Sequence, residues 1–144
     1  MSVRITVHAE EFIAFMKSEP ERAKAVLRDW QQQGSRETEQ QMSLFAPIRT
    51  GTYRESIGSR FTPKGFVTYP NVDYADIVEE GTGPHIIRPR NAKALRWFNE
   101  AGAQFFAKKV EHPGTAPQHV VKRTAEQMRG VLGYLYRRIW ETHH

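Results

Sequence analysis

From residue 117 to the end of the chain, Val121, Ala125, Met128, Leu132, Leu135 and Ile139 recur about every 3.6 residues, the period of an α-helix. Arg123, Arg137 and Arg138 sit off that stripe, and Arg129 lies at its edge. The stretch therefore reads as one long helix with a single apolar face. A second long helix is signalled near the other end. Ser18 before Glu19-Pro20-Glu21 supplies a capping hydroxyl, a proline in the first turn and acids near the positive end of the dipole. Ala23, Val26, Leu27 and Trp30 then step at i, i+3, i+4, i+7. Gly34-Ser35 weakens the middle, and Met42, Leu44 and Phe45 carry the helix on until Pro47 stops it. Just upstream, Phe12, Ile13, Phe15 and Met16 suit a short amphipathic helix over residues 10–17.

Between the long helices the period changes. Residues 2–7, ahead of them all, alternate with Val3, Ile5 and Val7 and read as a short strand. Residues 53–62 and 66–69 flank Pro63-Lys64-Gly65 and read as a hairpin. Residues 73–79 suit one or two helical turns. Residues 81–90, with two Gly and two Pro, read as an exposed loop, flexible in the free chain and tipped by the apolar pair Ile86-Ile87. Residues 95–98 and 104–110 read as a second strand pair around Glu100-Ala101-Gly102, with 91–93 bulging out. At 144 residues the chain fits a single domain, 1–144, with one core. The expected class is α+β: a small antiparallel sheet packed against a long N-terminal and a long C-terminal helix.

Composition removes several kinds of function. The absence of cysteine excludes disulfides, thiolate zinc sites and thiol nucleophiles. No apolar run approaches the roughly 20 residues that span a bilayer, and residues 1–7 do not resemble a signal peptide, so a soluble chain made inside the cell is expected. Charge is unevenly placed: residues 1–80 carry 10 Lys+Arg against 12 Asp+Glu, and residues 81–144 carry 11 against 4. Either the basic region 81–144 meets nucleic acid, or an acidic and a basic face let copies pack head to tail.

A search for chemistry returns little. His112 and His119 are the nearest usable pair of the six histidines, seven apart in a Pro/Gly-rich loop without the short helical spacing of zinc ligands. Ser56 lies in an expected strand and in no nucleophile elbow. Asp73, Asp76 and Glu80 share a face of a helical turn, which suits solvation better than acid/base work. Gly81-Thr82-Gly83 follows a helix, whereas a phosphate cradle precedes one. Trp30, Trp97 and Trp140 read as core. Arg88-Pro89-Arg90 with Lys93 and Arg96 fits phosphate or an acidic patch on a neighbouring subunit. Neither catalytic residues nor a metal nor another cofactor is expected.

Four segments, in order, resemble a known family. They are Ala46-Pro47-Ile48-Arg49-Thr50-Gly51-Thr52-Tyr53-Arg54-Glu55-Ser56-Ile57; Tyr74-Ala75-Asp76-Ile77-Val78-Glu79-Glu80-Gly81-Thr82; His112-Pro113-Gly114-Thr115; and the long helix entered through Ala116-Pro117-Gln118-His119. Together they resemble the tail-completion, or head–tail joining, minor tail proteins of long-tailed bacteriophages and prophages, over about residues 20–140. Members usually carry Leu where Tyr53 stands and an aromatic where His119 stands. The resemblance implies a virion protein, assembled in the host cytoplasm, that forms a ring on the tail axis, six-fold where it meets the tube. Its partners would be copies of itself, the head connector or head-closure protein, and the tail-terminator or tail-tube protein. DNA would pass non-specifically through the lumen, and no membrane would be involved.

The motif residues have expected fold-fixing roles. Pro47 ends the helix, with Thr50 beside the turn, and Gly51 allows the turn into a strand where a side chain would clash. Tyr74 and Ala75 pack a short helix onto the sheet. Gly81 closes that helix in a left-handed conformation, with Thr82 bonding the loose backbone. Pro113-Gly114, after His112, turns the chain into the last helix. Ile86, Ile87, Arg88, Arg90 and Lys93 are the candidates for subunit contacts or the lumen. Rival readings are a non-specific nucleic-acid-binding protein using residues 81–144 and, more weakly, a metal-dependent hydrolase.

Overall fold

The computed structural model describes residues 10–143, so the strand expected at residues 2–7 lies outside the described residues. Helices α1 (Glu10–Ser18) and α2 (Pro20–Phe45) are separated by a break at Glu19. Ser18 ends α1 and does not cap α2. Glu19 takes the N-cap position with φ −133 and ψ 69 and makes no side-chain cap bond. The residue before a proline is kept out of the helical region, and Pro20, with no N–H to satisfy, opens the helix.

Helix α2 runs antiparallel to the C-terminal helix α5 (Val120–Thr142). At one end Met42 clusters with Val120 and Val121. Further along, the Trp30 indole Nε1 donates to the Leu132 carbonyl at 3.2 Å, and Asp29 meets His143 at 2.8 Å. The α5 stripe lands inside: Val121, Met128, Leu132, Leu135 and Ile139 are buried, and Ala125 is half-buried. Opposite it lie Ala23, Val26 and Trp30.

Gly34, where the sequence marks a weak point, leaves α2 unbroken. A Cβ there would meet the Phe66 ring at 2.9 Å and a Leu132 methyl at 3.0 Å. The missing side chain lets α5 and the neighbouring hairpin both reach the helix backbone, and their packing outweighs the roughly 1 kcal/mol propensity loss of glycine. Buried polar groups on this face are bonded: the Gln31 amide donates to the carbonyls of Thr62 and Gly65, and the Thr38 hydroxyl to that of Gly34.

The hairpin is β1 (Ile57–Thr62) and β2 (Gly65–Pro70), which packs on α2 through Phe66, whose ring centroid is 5.2 Å from that of Trp30. Its first strand begins later than the expected residue 53, because a helical turn, α3 (Thr52–Glu55), intervenes. Ser56 therefore closes α3, its hydroxyl donating to the Tyr53 carbonyl at 2.7 Å, and is not a strand residue. Helix α4 (Ala75–Glu80) follows.

Beyond α4, residues 81–90 are not all irregular. β3 (His85–Ile87) pairs antiparallel with β6 (Val110–His112), while β4 (Leu95–Phe98) pairs with β5 (Gln104–Ala107) as the excursion between them. The expected strand 104–110 is thus two strands in two ladders. The fold is α+β, with three separate two-stranded antiparallel ribbons beside the helix pair.

Candidate assembly surface

The motif segments meet at the entrance to α5. Its first turn leaves N–H groups without helical partners, just as the end of α4 leaves carbonyls free. The carbonyls of α4 are met by the two residues that precede α5, and the first-turn N–H groups of α5 by a side chain of α4. The N–H of Gln118 donates to the Val78 carbonyl at 2.9 Å, and that of His119 to the Glu79 carbonyl at 3.3 Å. The Glu79 side chain, only 3% exposed, turns inward, where Oε2 accepts the Val121 N–H at 2.8 Å and Oε1 the Lys122 N–H at 2.9 Å. A carboxylate at the positive end of a 23-residue helix also complements its dipole. His119 holds the N-cap position with φ 50 and makes no side-chain cap bond, so Glu79 caps the helix from another element.

A second joint lies beside it. The N–H groups of Thr82 and Thr115 each donate to the other's carbonyl, at 2.9 and 3.0 Å, and the Thr82 hydroxyl also accepts from Thr115. Two glycines make this crossing possible. A Cβ on Gly81 would collide with the Thr115 carbonyl oxygen, and one on Gly114 with that of Thr82. Both have positive φ, 72 and 94. Gly81, at ψ −173, does not adopt the left-handed helical closure expected of it, and Thr82 bonds Thr115 and not the loose end of α4. Pro113-Gly114 does lie between β6 and α5, and the His112 Nδ1 accepts the Gly114 N–H at 3.1 Å.

Tyr53, Met42, Ala46, Val120 and Val121 form the core under this joint, with Ala75 packed against them. Ala75 therefore packs α4 onto a cluster drawn mainly from the helices, which Ile57 at the start of β1 also meets, and the Tyr74 ring lies 6.3 Å from that of Tyr53. The Tyr53 hydroxyl is buried without a hydrogen-bond partner. Burial, and then the nearby Glu79 carboxylate, push its pKa up to about 12. Ahead of it, Ala46 is extended (φ −68, ψ 144) before Pro47, as that proline requires. Thr50 Oγ1 accepts the Thr52 N–H at 3.4 Å. Gly51 has φ 78 and leads into α3, not a strand; its Cβ would meet only the end of Glu55 at 3.5 Å, so the demand there is conformational and not the expected clash.

The remaining candidates stand apart from this joint. Ile86 and Ile87 are on β3, 52% and 37% exposed, and Arg88, Arg90 and Lys93 follow on the exposed way to β4. Trp97 is no core residue: it is exposed on β4, beside Phe98, Phe105 and Phe106. The sequence signal for this surface lies in the adjacent aromatic pairs at 97–98 and 105–106, which place apolar groups on both faces of any strand. His85 and His112 face each other across β3 and β6, ring centroids 4.9 Å apart. Among the described residues no three His, Asp or Glu are placed to hold a metal ion, and no helix is long and apolar enough to cross a membrane.

The geometry defines an α+β fold with a closely hydrogen-bonded helix entrance and an exposed hairpin bearing aromatics, with cations beside it. No protein-family model, curated protein or solved structure matches this chain.

Proposed function

We propose that this chain is a structural subunit of the neck of a long-tailed bacteriophage or prophage, of the tail-completion or head–tail joining kind. Copies would form a ring between connector and tail tube, with six-fold symmetry where they meet the tube and DNA passing through the lumen. The observation that carries the reading is the convergence of the resembling segments. Tyr53, Ala75, Glu79, Gly81, Thr82, Gly114 and the start of α5 lie apart in sequence yet build one contact network. These residues fix a fold, which suits a protein whose work is geometric and non-catalytic. Mass spectrometry of purified virions from the encoding phage tests it: peptides of this chain at several copies per particle are expected, and their absence would contradict it.

The exposed Arg88, Arg90 and Lys93 favour a second reading, a nucleic-acid-binding protein. Ring lumen and dedicated binder differ in affinity. A lumen through which a genome slides needs only weak, phosphate-dominated contact, with a dissociation constant on the order of 10⁻⁴ to 10⁻⁶ M.

A further inference from the structure

The β4–β5 hairpin carries more apolar surface than a solvated ribbon needs. Leu95, Trp97, Phe105 and Ala107 form one face; Arg96, Phe98, Gln104 and Phe106 form the other. Trp97, Phe98, Phe105 and Phe106 are between 41% and 65% exposed. Trp97 stacks on Phe105 with centroids 5.7 Å apart, and the Arg96 guanidinium lies 5.8 Å from the Phe98 ring centre. An isolated two-stranded hairpin is marginally stable in water, and exposed apolar surface on both sides marks a contact site.

Charge identifies what covers it. Residues 88–109 hold six Lys or Arg and one acid, so the net +5 of the whole chain is equalled by this segment alone. Residues 65–87, immediately before, hold four acids and no Lys or Arg. Three of those acids are exposed: Asp76 and Glu80 on α4 at helical spacing with Ile77, itself 48% exposed, and Asp73 in the turn before it; the fourth is the buried Glu79. Within one chain the hairpin and Ile77 are both exposed, so neither covers the other.

We propose that the β4–β5 hairpin of one copy seats on the outer face of α4 of the next. The contact rests on the ring reading above and deepens it. Aromatics meet Ile77 and Tyr74, while Arg96 and Lys108 meet Asp73 and Glu80. Such a contact joins two different surfaces, so it repeats head to tail and generates a ring where the rotation closes. Pairing the hairpin with its own copy would instead bring two net-positive 88–109 segments together, with no acidic partner for either. Nucleic acid would satisfy the cations but leave the acidic, apolar face of α4 uncovered.

The chain has no cysteine, which makes cross-linking clean. Full-length Phe106→Cys and Ile77→Cys variants, both at exposed positions, are mixed at high concentration and treated with a short bismaleimide. A covalent dimer is expected in the mixture and not in either variant alone. Arg96→Glu/Lys108→Glu in the hairpin should abolish it, and Asp73→Lys/Glu80→Lys in the partner should restore it. A dimer formed equally by Phe106→Cys alone, or none in the mixture, overturns the proposal. So does an oligothymidine that shields the Phe106→Cys thiol from alkylation when no mixed dimer forms. Failure to cross-link in a chain that virions do contain removes this contact and leaves the ring reading; a mixed dimer from a chain that virions lack does the reverse.

Discussion

Tyr53 and Glu79 face the same buried joint and make opposite contributions to it. The Tyr53 hydroxyl has no hydrogen-bond partner, and leaving such a group buried costs about 1–3 kcal/mol. Tyr53→Phe should therefore stabilise the fold by about 1 kcal/mol in denaturant titration. The same substitution has a pH signature. An unfolded tyrosine ionises near 10, whereas Tyr53 in the fold is held neutral to about 12. Between those values the unfolded chain gives up the proton and is favoured. The stability linked to Tyr53 is thus fully present below about pH 10 and is lost as pH rises toward 12. The advantage of Tyr53→Phe should grow over that window, and an advantage that stays flat would contradict the burial of an unpaired phenol. Glu79 works the other way. Glu79→Gln keeps the shape but turns a donor toward one of two α5 N–H groups, and should cost about 2 kcal/mol. A loss no larger than that of an exposed Glu80→Gln would show that the cap is dispensable.

At the scale of elements, the crossing of residues 81–83 with 114–116 joins α4 to α5 and closes the β3–β6 ribbon. Gly81→Ala and Gly114→Ala each force a side chain into a backbone carbonyl at positive φ. Each should cost about 3 kcal/mol or more, combining backbone strain with overpacking. Gly83→Ala, with nothing within 4 Å of its Cβ, is the control expected to stay near neutral. Thermal melts of the three variants check this, and a mild loss at Gly81 or Gly114 would break the account of the crossing. What was legible beforehand follows from the range of each signal. The α5 stripe and the Pro63–Gly65 turn are set by neighbours in sequence, so periodicity and turn chemistry reveal them. β3 is only three residues long and pairs with a strand reached through the whole β4–β5 excursion, so nothing local marks it. Glu79 reads as one of four nearby acids, because the backbone it caps lies 42 residues further on. Gly34 reads as a weakness for the same reason: Phe66 and Leu132, which need its space, come from elsewhere.

For the molecule as a whole, the uneven charge becomes a matter of geometry. The cations between β3 and β4 and on the hairpin are exposed, and none of them takes part in the hydrogen-bonded joint between α4 and α5. Free subunits should bind duplex DNA weakly and without sequence preference, no tighter than about 10⁻⁶ M at physiological salt. Arg88→Ala/Arg90→Ala should reduce that binding and flatten its salt dependence. Nanomolar, sequence-selective binding that survives elevated salt would replace the neck reading with the nucleic-acid one. The most direct test of the neck role is electron microscopy of particles from the encoding phage with the gene for this chain deleted. Filled heads and separate tails that fail to join, or tails with a defective upper end, are the predicted result, reversed when the chain is supplied in trans. Normal, infectious, fully joined particles from the deletion would contradict the account.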